Sequence, residues 1–213
     1  MMNVQVKVCG VTTVGDARLA VELGAAYLGL NFYPGSPRCV SVERAREIAD
    51  AVEGRARLVG VFVNAPASQV EEIAGALGLD LLQFHGDESP EWIAPFAGRA
   101  IKAFRGVPVR ETERFPEVWG FLVDAPAVAP AVGGTGQPWD YSALKPFAAA
   151  AAGRPVFLAG GISPDNVRAA VDQSGALLID VCSRVERSPG VKDPDLLSRL
   201  FSEIASHEET HVP

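Results

Sequence analysis

Short runs of branched apolar residues recur along the chain, separated by longer stretches in which alanine, leucine and valine return at helical spacing. Eight such runs stand out, at residues 4–9, 26–32, 57–63, 81–85, 100–104, 120–124, 156–160 and 177–182. Their near-continuous apolar character belongs to strands covered on both faces, and strands alternating with amphipathic helices make βαβ units on a parallel sheet. Three intervening segments open with a small polar residue, a proline and an acid: Ser89-Pro90-Glu91, Ser163-Pro164-Asp165 and Asp193-Pro194-Asp195. Each predicts a helix start, with proline at the first helical position and a carboxylate at the positive end of the helix dipole. The weakest repeat is the fifth, where residues 105–116 carry two prolines and a poor helical stripe.

Eight repeats in 213 residues predict an α/β chain folded as one closed (β/α)8 TIM barrel near the lower size limit of that architecture. The alternative is an open doubly wound sheet. It would need a G-x-G-x-x-G turn after the first strand, and the chain has none there. The barrel is expected over residues 1–206, with residues 207–213 as a polar tail that frays.

Composition narrows the ligand. A net charge of −7, with no stripe of lysine and arginine, argues against a phosphate backbone as partner, so no nucleic acid is expected. No apolar run approaches the roughly 20 residues of a membrane helix, and the first residues show no basic-then-apolar signal. The expected setting is the cytoplasm, with a small metabolite as ligand. Cys9, Cys39 and Cys182 form no C-x-x-C pair, which points to free thiols and away from structural zinc. His85, His207 and His211 add no ligand pattern, so no metal is expected.

In a barrel the chemistry lies where strands end and βα loops begin. There the sequence places Cys9, Asn31 to Arg38, His85, Arg105, Asp124, Gly160-Gly161 and Cys182-Ser183-Arg184. Gly160-Gly161 followed by a helix start can bring backbone N–H groups to a phosphate, or can merely tighten a turn. Gly133-Gly134-Thr135-Gly136 reads as a loop folding over substrate or as an ordinary linker, and lacks the Lys-Ser/Thr of a nucleotide P-loop. Cys9 is either inert filling or a proton-transfer group. Asp124, after the apolar run Phe121-Leu122-Val123, is either a carboxyl acid raised by desolvation or a turn cap. Asp180 is a similar case between Ile179 and Val181.

Six motifs at these boundaries resemble phosphoribosylanthranilate isomerase of tryptophan biosynthesis. They are Lys7-Val8-Cys9-Gly10-Val11-Thr12, the segment Phe32 through Arg38, Gln83-Phe84-His85-Gly86-Asp87, Asp124-Ala125 with Gly133-Gly134-Thr135-Gly136, Leu158-Ala159-Gly160-Gly161-Ile162, and Gly190-Val191-Lys192-Asp193. The resemblance implies an Amadori rearrangement without cofactor or metal, on a phosphorylated small-molecule substrate, by a monomer or homodimer. Asp124 would protonate the ribose ring oxygen and Cys9 would take the C2′ proton. Arg38 would pair with the anthranilate carboxylate, with His85 and Asp180 as further substrate contacts. Gly160, Gly161, Ser183 and Arg184 would hold the phosphate. Where the family usually shows Ser-Ser-Gly, this chain reads Cys182-Ser183-Arg184. Rival readings are another phosphosugar isomerase or epimerase on this barrel, and a non-catalytic phosphate-ligand binder.

Overall fold

The computed structural model describes residues 4–126 and 139–210, with side chains through His207. The glycine cluster Gly133, Gly134, Thr135 and Gly136 lies outside the described residues. Eight parallel strands close into a barrel: β1 (Gln5–Cys9), β2 (Tyr27–Asn31), β3 (Arg57–Phe62), β4 (Leu81–Phe84), β5 (Ala100–Arg105), β6 (Gly120–Asp124), β7 (Val156–Leu158) and β8 (Leu178–Val181). Each pairs with the next, and β8 returns to β1 with Lys7 opposite Asp180 and Val8 opposite Val181. The eight expected runs are the eight strands; the run 120–124 matches β6 throughout, and the other seven are trimmed or extended by a residue or two.

Successive strand side chains point to opposite sides, so each strand divides into two sets. One set, including Val6, Val8, Leu28, Leu30, Phe84, Phe121 and Val181, is buried between barrel and helices. The other fills the barrel with Tyr27, Val59, Leu81, Ile101, Ala103, Leu122, Phe157 and Ala159. That inner set is apolar near the bottom and polar towards the C-terminal mouth, where Lys7 and Gln83 are both fully enclosed.

The helices follow local signals. Helix α1 (Val14–Glu22) is capped by Thr13, whose Oγ1 accepts from Asp16 N at 3.0 Å. Helix α2 (Val42–Val52) is capped by Ser41, and α3 (Ala67–Leu77) ends on Gly78 at φ +61°. Two expected starts match the structure: Ser89 caps α4 (Pro90–Ile93), and Asp193 caps the last helix, accepting from Asp195 N and Leu196 N. After β6 come α5 (Leu144–Ala150) and, following β7, α6 (Val167–Ser174).

The third expected start needs correction. The helix after Gly160-Gly161 begins at Val167 rather than at Ser163. Residues 163–166 instead form a turn closed by Ser163 N donating to Asn166 Oδ1 at 2.8 Å, and Asn166 precedes the helix without a side-chain capping bond. In the weak fifth repeat a 3-10 turn, Val109–Arg114, replaces an α-helix. The last helix, α7 (Pro194–Thr210), runs past residue 206, where fraying was expected. Its His207 is only 4% exposed and lies 3.2 Å from Asp172. Among the described residues no helix is long and apolar enough to cross a membrane. Between β8 and α7 the chain forms a small hairpin, β9 (Glu186–Ser188) and β10 (Val191–Lys192), which brings Glu186 and Lys192 against the barrel mouth.

Candidate active site

The mouth is built from strand-end residues two positions above the polar inner layer. Lys7 is fully enclosed, and its ammonium donates to Asp180 Oδ1 at 2.7 Å and to Gln83 Oε1 at 2.8 Å, with the Cys9 sulfur as a further favourable neighbour. Burial alone would drive a lysine towards the neutral form. Here Asp180 and the Cys9 sulfur outweigh that penalty and hold its pKa above the usual lysine value. Asp180 therefore sits one layer below the mouth, committed to Lys7.

The same contact settles the tautomer of His85. An ammonium has no lone pair, so Gln83 must turn its Oε1 to Lys7, leaving Nε2 to donate to His85 Nδ1 at 3.1 Å. The imidazole proton then resides on Nε2, which faces Asp124 Oδ2 at 3.9 Å. Burial, helped by Lys7, Arg105 and Lys102, pulls the His85 pKa down to about 4, so the ring is neutral near pH 7. The 3.9 Å approach is a contact of a neutral ring with a carboxyl group, not an ion pair.

Asp124 ends β6 and is the counterpart of Cys9 in this top layer. Burial pushes its pKa up, with Asp180 adding in the same direction. The Ala125 N–H bond to Oδ1 at 2.8 Å, together with Arg105 and Lys7, works against the rise.

Cys9 ends β1 and is 9% exposed. Its pKa falls from the ordinary thiol range to about 7, chiefly through a hydrogen bond from the Cys182 thiol, with the Lys7 and Lys192 ammonium groups helping against burial and Asp180. Gly29, its register partner on β2, makes room for this thiol: a Cβ there would stand 2.8 Å from the sulfur. The pKa of Cys182 moves the other way, raised by its bond to Cys9 and by burial. Alkylation by iodoacetamide is therefore expected to find Cys9 first, half-maximally near pH 7, with Cys39 and Cys182 reacting only in more alkaline solution; peptide mapping across pH measures it.

Lys192 is as enclosed as Lys7. It donates to Cys9 O at 2.6 Å, to Cys182 O at 3.4 Å and to Glu186 Oε1 at 2.9 Å. Glu186 also takes the Arg38 guanidinium, with Nε at 2.9 and 3.1 Å from its two oxygens and Nη2 at 2.7 Å. These bonds hold the Glu186 carboxyl below the usual range despite its burial. Arg38 keeps the outer edge of its fork, Nη1 and Nη2, for a second carboxylate.

At the β7 end, Gly160 and Gly161 have φ of +92° and +73°, backbone conformations suited to glycine. A Cβ on Gly160 would lie 2.5 Å from Ala125 N, so the glycine pair also packs the β6 and β7 ends together. Ser183 opens a 3-10 turn, Ser183–Val185, and Arg184 is exposed beside Tyr141. Across the barrel a cavity of about 480 Å³ adjoins His85 and Arg105. Among the described residues there is no group of three side chains placed to hold a metal ion.

Sequence reasoning located the strand-end residues and missed the supports beneath and beside them: Lys7, Gln83, Glu186 and Lys192. A signal existed for the first two. Each lies two residues before a strand-end candidate, and so must point into the same interior. Glu186, in a hairpin after the last strand, carries no such periodicity.

One test of the polar layer is Lys7→Met. It leaves the Asp180 carboxylate enclosed without its cation and is expected to cost about 3–5 kcal/mol, read as a lowered urea midpoint. Lys7→Met with Asp180→Asn should recover part of that loss.

A closed parallel barrel with a lowered-pKa thiol and a raised-pKa carboxyl at its C-terminal mouth defines a (β/α)8 enzyme of the acid–base class. The family model for N-(5′-phosphoribosyl)anthranilate (PRA) isomerase matches residues 6–203, and the chain belongs to that family. It is 40% identical over 208 residues to N-(5′-phosphoribosyl)anthranilate isomerase of Rubrobacter xylanophilus, covering 95% of this chain and 99% of that one. Among solved structures, phosphoribosyl anthranilate isomerase of Thermotoga maritima superposes with a TM-score of 0.86 at 36% identity, over 95% of this chain and 99% of that one. A phosphoribosyl anthranilate isomerase in complex with reduced 1-(o-carboxyphenylamino)-1-deoxyribulose 5-phosphate gives 0.82 at 34% identity, over 95% and 99%.

Proposed function

We propose that this chain converts N-(5-phosphoribosyl)anthranilate to 1-(2-carboxyphenylamino)-1-deoxyribulose 5-phosphate, with Asp124 as the acid and Cys9 as the base. The observation that carries the assignment is the opposite perturbation of the two groups within one mouth. A carboxyl made more basic by burial can hold and deliver a proton, while a thiol made more acidic can accept one.

The Asp124 carboxyl protonates the ribose ring oxygen as its bond to C1′ breaks, giving an open-chain Schiff base. The Cys9 thiolate then removes the C2′ proton, and the electron pair moves to form the enolamine, which tautomerises to the ketone. With a pKa of about 7, roughly half of Cys9 is thiolate at neutral pH, against a few per cent for an ordinary thiol. His85 offers a neutral Nε2–H at the same place, adding no charge that would make Asp124 a stronger acid. The outer edge of the Arg38 fork holds the anthranilate carboxylate, with Glu186 fixing the plane of the guanidinium. Gly160, Gly161 and Ser183 form the phosphate cradle, with Arg184 at its rim. Asp180 acts from below, through Lys7. The net charge of −7 argues against nucleic acid as partner, and the reading is of an enzyme for a small phosphorylated substrate, cytoplasmic and working as a monomer or homodimer.

The assignment is tested with freshly prepared phosphoribosylanthranilate, whose fluorescence falls as it is consumed. Purified protein, with indole-glycerol-phosphate synthase added to drain the product, should accelerate the decay. A rate equal to spontaneous hydrolysis would overturn the reading.

A further inference from the structure

We propose that Cys9 and Cys182 form an oxidant-driven modification site: a reversible disulfide across the β1–β8 seam that closes the mouth to catalysis. The consequence for activity rests on Cys9 being the base, whereas the bond itself does not.

The placement comes from the barrel closure. Val8 pairs with Val181 in parallel register, so Cys9 and Cys182 are the next neighbours across the seam. In-register residues on adjacent strands stand about 4.8 Å apart, inside the 4.4–6.8 Å Cα range that a disulfide spans. Lys192 grips both backbones at this point by donating to both cysteine carbonyls. A Cβ on Gly10 would meet the Cys182 sulfur at 3.2 Å, so that sulfur lies over the end of β1, beside the strand end that carries Cys9. Cys182 also reaches Glu186 Oε1 at 3.9 Å. Cys39 is exposed in the loop after β2. Cys182 has no part in the proton transfers, yet it is the thiol beside the reactive one.

Both ammonium groups that favour the Cys9 thiolate, Lys7 and Lys192, also favour its attack on a peroxide. With hydrogen peroxide as oxidant, the Cys9 thiolate attacks one oxygen, the O–O bond breaks, and hydroxide leaves to give a Cys9 sulfenic acid. The Cys182 sulfur then attacks the Cys9 sulfur, losing its proton as the S–O bond breaks and water departs. The sum is two thiols and one peroxide going to one disulfide and two waters. A neighbouring thiol that resolves the sulfenic acid keeps the cysteine from the irreversible sulfinic state.

The experiment uses the full chain carrying Cys39→Ser, which leaves these two thiols alone. Hydrogen peroxide should remove both thiols, join the Cys9 and Cys182 peptides in non-reducing mass mapping, and abolish isomerase activity; dithiothreitol should restore most of it. Adding Cys182→Ser should yield no joined peptide, and prolonged exposure should leave Cys9 as sulfinic acid with activity that dithiothreitol does not restore. Sulfinic Cys9 without a joined peptide in the parent would overturn the proposal. A joined peptide with undiminished activity would uphold the bond and overturn Cys9 as the base.

Discussion

Asp124→Asn is expected to lower kcat/KM by about 100- to 10,000-fold, the range a positioned general acid contributes, while a product analogue still binds within a few-fold of its normal affinity. The substitution isolates the proton. Asparagine can still accept from Ala125 N through its side-chain oxygen, so the β6 turn keeps the bond seen in the structure. It cannot deliver a proton to a ring oxygen. The loss should fall on kcat with little change in binding, measured by phosphoribosylanthranilate fluorescence and by titration with the analogue. Near-normal kcat would move the acid role away from β6, with the His85 Nε2–H, 3.9 Å from Asp124, as the next group to test.

Cys9→Ser should cost at least as much, about 1,000-fold or more, because a hydroxyl is not ionised at neutral pH even beside Lys7. Serine fits the space opposite Gly29 and keeps its neighbours in place, so the melting temperature should change little. The substitution also decides between the two sulfurs. If turnover survives, Cys182 is the nearest candidate base, although its pKa is raised rather than lowered. If turnover is lost while Cys182 remains, the geometry at the end of β1 carries the chemistry.

Much of this architecture could be read from periodicity. The run 120–124 is β6 from end to end, and the apolar runs elsewhere locate the remaining strands because a parallel barrel buries both faces. Helix starts were legible where cap, proline and acid stood against a helix, at Ser89 and Asp193. The motif at Ser163 misled because the Asn166 side chain accepts from Ser163 N and holds residues 163–166 in a turn. The end of α7 was hidden for a different reason: His207 looks like a tail residue until Asp172 of α6 is seen beside it.

Within the site, the proposed acid and base were visible as polar residues ending apolar strands. Their electrostatics were not. A lysine in a strand reads as a surface residue, and only the closed interior shows that Lys7 is enclosed and divided among Asp180, Gln83 and Cys9. Arg38 was legible as a candidate, but its restraint by Glu186 joins residues 148 positions apart, which no local pattern encodes.

The β1–β8 seam also orders events in time. The lysine that helps acidify Cys9 is fixed by Asp180, 173 residues later, and the backbone of Cys9 is held by Lys192, 183 residues later. Contacts of such sequence separation form late, because the entropy of closing the loop must be met before they can reward it. Cys9 precedes both partners in the chain, and until the last strand and hairpin dock it remains an ordinary thiol with a pKa of about 8.5. The nascent chain is thus chemically quiet, and its reactive sulfur is switched on by completion of the ring.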